Sequence, residues 1–349
     1  MLGRPIRWVD WPSDNLTMRE QMILSNRLHR RHALATAAAL AAAWVLPTAQ
    51  AQTAWPSRPL KIIVGFPGGS SPDLMARALA EHLSQALGQP MVVDNRPGAG
   101  GNIAAGLVAR ATDDHTIGLM INGNMTIAKI LNPATTYDPL TDLAPVSLLA
   151  VSPLVLTVPA SATATGAGFF DAARAAGDRW NYGTPGVGTV AHLGMELLKS
   201  RAGMAPVHVP YQGNPQVIAA MLGGQIQMAL LPPGLALAQV RGGTLRAIGV
   251  TSRGRSSVAP ELPSLAELGV RDMQLEIWNA VAAPNSLPKA HVNRLATLLT
   301  EIVRRPEVRQ TILNQGWQVA GTSPEGLAQR VRADTAAMAD VITRNHIRP

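Results

Sequence analysis

Leu60-Lys61-Ile62-Ile63-Val64 is a short run of β-favouring residues, and the rhythm changes directly after it. From Pro72 to Leu87 the apolar positions fall at Leu74, Met75, Ala78, Leu79, Leu83 and Leu87, the spacing of a helix with one buried face, and Gly88 ends it. Met91-Val92-Val93 then reads as a strand, Ile103 to Arg110 as a helix and Ile117 to Ile121 as a third strand. Val146 to Val158 reads as one or two extended segments. After it a second alternation is predicted: helix 169–176, strand 180–183, helix 190–201, strand 207–209, helix 215–222, strand 226–231, helix 235–240 and strand 245–251. A strand over 275–283 and helices over 288–303, 306–314 and 324–342 complete the chain. Strands alternating with helices predict an α/β protein with mainly parallel sheets covered on both faces.

Length makes this two domains rather than one. At roughly 100–200 residues per domain, 349 residues suffice for two packed cores. No stretch resembles a flexible linker, so the chain is expected to cross between lobes near 150–158 and again near 275–283. Two lobes joined by two extended strands make a hinged clam with a cleft between them. The expected division is 52–153 with 280–349 for lobe I and 154–279 for lobe II.

Residues 26–51 follow a different logic. Arg27, Arg30 and Arg31 precede an apolar run from Ala33 to Leu46, then Pro47 and the small-x-small triplet Ala49-Gln50-Ala51. That order reads as a cleaved secretory signal, with the mature protein starting near Gln52 and residues 1–17 an overextended start. No cysteine is present, which leaves no lipid anchor on sulfur, no disulfide and no thiolate metal site. The protein is therefore expected free in the periplasm.

The formal net charge of +8 raises nucleic-acid binding. Residues 1–51 hold six arginines against three acidic residues, and the remaining charges are scattered rather than clustered as a phosphate-reading surface requires. Only 4% of residues are aromatic, too few for base-stacking platforms. No nucleic-acid partner is expected.

Two glycine-rich segments carry the candidate chemistry. Phe66-Pro67-Gly68-Gly69-Ser70-Ser71-Pro72-Asp73 lies between a predicted strand and a predicted helix. Gly68 and Gly69 permit close approach to the backbone, and the helix start offers free N–H groups and a positive dipole end to an anion. Tyr182 to His192 repeats the arrangement in the other lobe, with Thr184, Thr189, Gly186, Val187 and Gly188 exposing hydroxyls and N–H groups, and His192 at the helix start. The two loops are expected to face each other as a pincer.

Enzymatic readings fare worse. Gly186-x-Gly188-x-x-Ala191 matches the dinucleotide fingerprint, but Val207 to Gln212 lacks the acidic residue that holds a ribose. There is no phosphate-binding P-loop, no H-E-x-x-H and no G-x-S-x-G elbow, and the histidines lack ligand spacing. No cofactor, metal or catalytic residue is expected.

Several stretches in order resemble one family: Trp55 to Pro59, Phe66 to Asp73, Asn95 to Asn102, Tyr137-Asp138-Pro139, Gly183 to Leu193, His208 to Gly213, Gly223-Gly224-Gln225 and Pro306 to Arg309. Together they resemble the Bug (TctC-like) solute receptors of tripartite tricarboxylate transporters. The resemblance implies a two-lobe periplasmic-binding-protein fold with a mainly parallel sheet in each lobe. It implies a monomeric, non-enzymatic receptor that takes a small carboxylate to membrane permease subunits; a sensor or enzyme on the same scaffold is the alternative. It places ligand contacts at Pro67–Asp73 and Thr184–His192 and adds the strand end Asn122 to Thr126, with Asn124, and Tyr211 to the lining. Ser70 and Leu231 depart from the family pattern, where a glycine and often an aspartate stand.

Overall fold

The computed structural model describes residues 55–348, so the signal-peptide reading lies outside the described residues. The first sheet begins with β1 (Leu60–Val64), β2 (Met91–Asn95) and β3 (Thr116–Ile121). Helix α1 (Ser71–Leu87) joins β1 to β2, and α2 (Asn102–Ala109) joins β2 to β3. A π-helical turn over Gly123–Ile127 runs into the short α3 (Ala128–Leu131), after which β4 (Leu143–Pro153) leads out of the sheet.

The second sheet takes β5 (Val155–Pro159), β6 (Asn181–Thr184), β7 (Val207–Pro210), β8 (Met228–Leu231) and β9 (Leu245–Val250). Its helices are α4 (Gly168–Ala176), α5 (Val190–Ala202), α6 (Asn214–Leu222) and α7 (Pro233–Arg241). The chain then returns through β10 (Glu276–Pro284), α8 (Lys289–Arg304), α9 (Pro306–Asn314), β11 (Gln318–Val319) and α10 (Pro324–Arg344).

Strand order is β11-β4-β10-β3-β1-β2 in lobe I and β7-β6-β8-β5-β9 in lobe II. The sheets are mixed rather than mainly parallel. β1 pairs parallel with β2 and β3, but β10 is antiparallel to β3 and β4, and β5 is antiparallel to β8 and β9. The crossing strands cause this: a strand that arrives from the other lobe enters the sheet against the direction of its own strand–helix units.

The period-two alternation of each strand decides which layer it feeds. Ile62 and Val64 join a core with Leu79 and Leu83 of α1 and Leu295 and Leu299 of α8, while Ile63 faces Ala104 and Val108 of α2. In lobe II, Met228 and Leu230 meet α5, and Ala229 and Leu231 meet α6 and α7. Burying such a Leu or Ile side chain contributes about 1.5–3 kcal/mol, so both sheets are anchored on both faces.

Two features tie the lobes together. At the crossings, Thr251 bonds both connecting strands: its N–H and hydroxyl oxygen pair with the Leu154 backbone at 2.9 Å each. Its hydroxyl also donates to Leu275 O at 2.8 Å, and its carbonyl accepts the Leu275 N–H. The return strand joins the lobe I ladder from Glu276, four residues earlier than the expected boundary at 280. Helix α10 also departs from a purely lobe I role. Leu327 and Val331 sit in a lobe I core, whereas Ile342 sits in the lobe II core with Met338 and Val341 packed against it.

Candidate functional site

Between the sheets lies a cavity of about 50 Å³, room for a few water-sized groups. Lobe I contributes Phe66, Ser71 and Pro72 from the first loop and helix start, Ile121 and Asn122 after β3, and Ile277, Trp278, Asn279 and Trp317 from the return half. Lobe II contributes Leu154, Pro185, Thr189, Val190, Ala191, Asn214, Leu230 and Pro232. None of these side chains is ionisable.

The electrostatics come from the backbone. Helices α1, α5, α6 and α7 begin at residues 71, 190, 214 and 233, and each starts on the cavity lining or next to it. Among the described residues, no acceptor takes the Ser71, Val190 or Ala191 N–H. A helix start carries roughly half a positive elementary charge, so this uncharged cavity favours an anion.

The first loop is built by residues that stay clear of the cavity. Gly65 must be glycine because a Cβ there would lie 2.5 Å from Gly101 Cα. Gly69 has φ 76°, and its N–H donates to Asp73 Oδ2 at 2.9 Å. Asn95 reaches across from β2 and donates to Phe66 O and Asp73 Oδ1, both at 2.9 Å, while Arg77 pairs with the same carboxylate. Burial opposes ionisation of Asp73, but the bonds from Arg77, Gly69 and Asn95 outweigh it and hold its pKa below the ordinary value. Asp73 therefore braces the loop with a carboxylate already fully engaged. Asp73→Ala is expected to cost about 2 kcal/mol of stability and to weaken anion binding about tenfold, measured by denaturant titration and calorimetry on one preparation.

The second loop is held the same way. Thr189 caps α5, accepting the His192 N–H at 3.3 Å and donating to Gly186 O at 2.8 Å. Thr184 Oγ1 accepts the Gly186 N–H at 3.3 Å and lies 2.7 Å from His208 Nε2. The Gly188 N–H donates to His192 Nδ1 at 3.4 Å, which makes Nδ1 the unprotonated ring nitrogen. Buried His192 stacks on His208 with ring centroids 4.3 Å apart, and His208 stacks on Tyr182 at 4.9 Å.

Of the residues expected to line the site, Phe66 and Thr189 border the cavity. Gly186, Val187 and Tyr211 border a separate groove at the rim, with Gly98 to Gly100 opposite. Pro67 touches the other lobe at Gly213, where a Cβ would lie 2.8 Å from the proline ring. Gly68 sits beside the Asp73 carboxylate. Ser70 is buried with a hydroxyl that lacks a partner, as does Ser71. Asn124 does not border the cavity: its amide donates to Gly100 O and Asn102 Oδ1 and accepts the Ile121 N–H. His192 likewise supports the loop from inside lobe II. Asn122, from the strand end expected to line the site, does border the cavity, while the lining residues that sequence reasoning passed over, above all Asn214, Asn279 and Trp317, come from outside the glycine-rich motifs.

Comparison with known proteins fits this geometry. Residues 75–346 match the family model described as tripartite tricarboxylate transporter family receptor. The chain is 34% identical to Protein BugT of Bordetella pertussis over 265 residues, covering 75% of this chain and 81% of that protein. It superposes on a Rhodopseudomonas palustris protein solved with adipate with a TM-score of 0.82, at 30% identity over 84% of this chain and 99% of the other. MatC of the same organism, solved with bound malate, gives a TM-score of 0.79 at 28% identity, covering 82% of this chain and all of that one. The chain belongs to the TctC, or Bug, family of periplasmic solute-binding receptors of tripartite tricarboxylate transporters.

Proposed function

We propose that the protein captures a small carboxylate by closure of its two lobes in the periplasm and delivers it, as a monomer, to the membrane subunits of a tripartite tricarboxylate-type transporter. One observation carries the reading: four helix N-termini converge on a single inter-lobe cavity that no charged side chain lines. The carboxylate would be held by the N–H groups of Ser71, Val190 and Ala191 and the hydroxyl of Ser71. The remaining loop residues, from Pro67 to Asp73 and from Thr184 to His192, keep those groups in place. Bound malate and adipate in two family structures support the ligand class. Catalysis is disfavoured because the lining offers no titratable side chain as an acid or a base. The limited cavity favours a ligand of few heavy atoms; a longer one would hold the lobes further apart.

A thermal-shift panel of two- to six-carbon carboxylates on the exported protein tests this. At least one is expected to raise the melting temperature by several degrees at millimolar concentration, because it binds only the folded state. A panel in which sulfonates or amines stabilise the protein and carboxylates do not would overturn the proposal.

A further inference from the structure

Asn279 is the least expected residue of the cavity. It interrupts an otherwise apolar run in β10, a central strand between β3 and β4, and it is wholly buried. Neither its amide nitrogen nor its amide oxygen has a partner. Native proteins rarely leave a buried amide so, because it gives up its bonds to water for nothing. The β10–β4 ladder also shifts register between Asn279 and Ala280, a distortion of the kind that re-aims a side chain next to a functional site.

Three neighbours in the lining share the condition. Asn122 donates through Nδ2 to Glu276 O at 2.9 Å, which fixes the amide and leaves its Oδ1 unpartnered. Flipping that amide would set oxygen against oxygen. Asn214 Oδ1, from lobe II, and Trp317 Nε1, just before β11, are also without partners.

We propose that Asn279, flanked by Asn122, Asn214 and Trp317, reads a neutral hydrogen-bond donor on the ligand, a hydroxyl or a carboxamide. The inference rests on the carboxylate reading above and adds the chemistry of the ligand's other end. Three amide oxygens call for donors, and beside them, away from the helix starts assigned to the carboxylate, stand the unpartnered donors Asn279 Nδ2 and Trp317 Nε1. A plain monocarboxylate or dicarboxylate brings acceptors alone. An ammonium group would find no Asp or Glu in the lining and would meet the positive ends of the helices, so its charge would be buried uncompensated. A hydroxyl or carboxamide both donates and accepts, and it carries no charge.

Matched pairs test this by calorimetry on the exported protein: lactate with propionate, 3-hydroxybutyrate with butyrate, malate with succinate, and succinamate with succinate. In the wild type, the hydroxyl or carboxamide member of at least one pair is expected to bind about tenfold tighter, the scale of one buried hydrogen bond. Asn279→Leu should bring that ratio to within about twofold by weakening the donor-bearing ligand alone. Equal affinity within every pair in the wild type overturns the inference, and so does an Asn279→Leu protein that weakens both members alike. Should that variant fail to fold, Asn279→Ser serves in its place and the wild-type pairs decide without it. If no carboxylate of either kind binds, the carboxylate reading itself falls, a result distinct from equal binding within pairs.

Discussion

Gly234→Val is expected to weaken carboxylate binding roughly 100-fold or more while leaving the fold intact. Gly234 lies in the first turn of α7 in lobe II, and a Cβ there would sit 2.1 Å from Gln315 O and 2.5 Å from Gln315 C in lobe I. The facing Gly316 has φ 80°, and its own Cβ would come within 2.5 Å of Gly234 N. Every colliding atom except one proline carbon is backbone, so no side chain can swing aside. The overlap is relieved only by parting the lobes. A second set of contacts follows the same rule, with a Gly100 Cβ 2.5 Å from Val187 O and a Gly123 Cβ 2.7 Å from Gly188 O. A propped cleft forfeits the hydrogen bonds that one lobe makes to the bound anion. Two such bonds, at about 1.5–3 kcal/mol each, correspond to roughly 100-fold or more in affinity. Calorimetry should record that loss, circular dichroism should stay native-like, and small-angle scattering should show ligand-driven compaction in the wild type alone. Wild-type affinity in the variant would refute closure through glycine contacts.

Acidification is expected to destabilise the protein between pH 6.5 and about 4, and His208→Phe should remove much of that slope. Burial pushes the His208 pKa down to about 4, with neighbouring His192 adding to the shift, and burial likewise lowers His192. The unfolded chain takes up these protons near 6.5, so across this window it binds more protons than the folded state. Stability therefore rises with pH there and is lost as pH falls through the folded pKa. One pKa unit corresponds to about 1.4 kcal/mol, but His208 is only partly enclosed; solvent screening reduces the expected loss to about 2 kcal/mol. Phenylalanine keeps the stack on Tyr182 and cannot take up a proton. Melting temperature against pH is the appropriate readout, because a carboxylate ligand titrates in the same range. An unchanged slope in His208→Phe would assign the acid sensitivity elsewhere. Protonating His192 also removes the acceptor for the Gly188 N–H, which loosens the second loop.

Most elements of the fold were legible in the sequence because their apolar periods are strong. β1 and α9 fall where the pattern predicts them, and α1 differs by a single residue at its start. The π-helical turn at Gly123–Ile127 and the two-residue β11 were not, since neither is long enough to show a period. The glycine-rich loops were legible as helix starts, but the division of labour inside them was not. Asn124 sits at a turn position that suggests ligand contact, and the structure engages its amide with Gly100 O and Asn102 Oδ1 instead. Asp73 and His192 stand at helix starts where a side chain can equally well support its own loop, and they do so. Asn279 left a trace: a polar residue between Trp278 and Ala280 in an apolar strand. Its meaning emerges only when β10 is laid beside β3, which adjacent sequence cannot reveal.

The double crossing at Thr251 also sets an order of events during synthesis. All five strands of the second sheet lie between residues 155 and 250, so that sheet can pair fully as soon as those residues are available. The first sheet has to wait. β1, β2 and β3 form early, yet their neighbour β10 arrives much later, and the bond from Asn122 to Glu276 closes a span of 154 residues. Long closures of this kind slow folding and leave strand edges uncovered in the interim. The edge of β3 is thus the stretch most in need of protection by a chaperone until the chain has emerged as far as β10, a wait spanned by the 154 residues between Asn122 and Glu276, and the cavity it borders is among the last parts of the molecule to take shape.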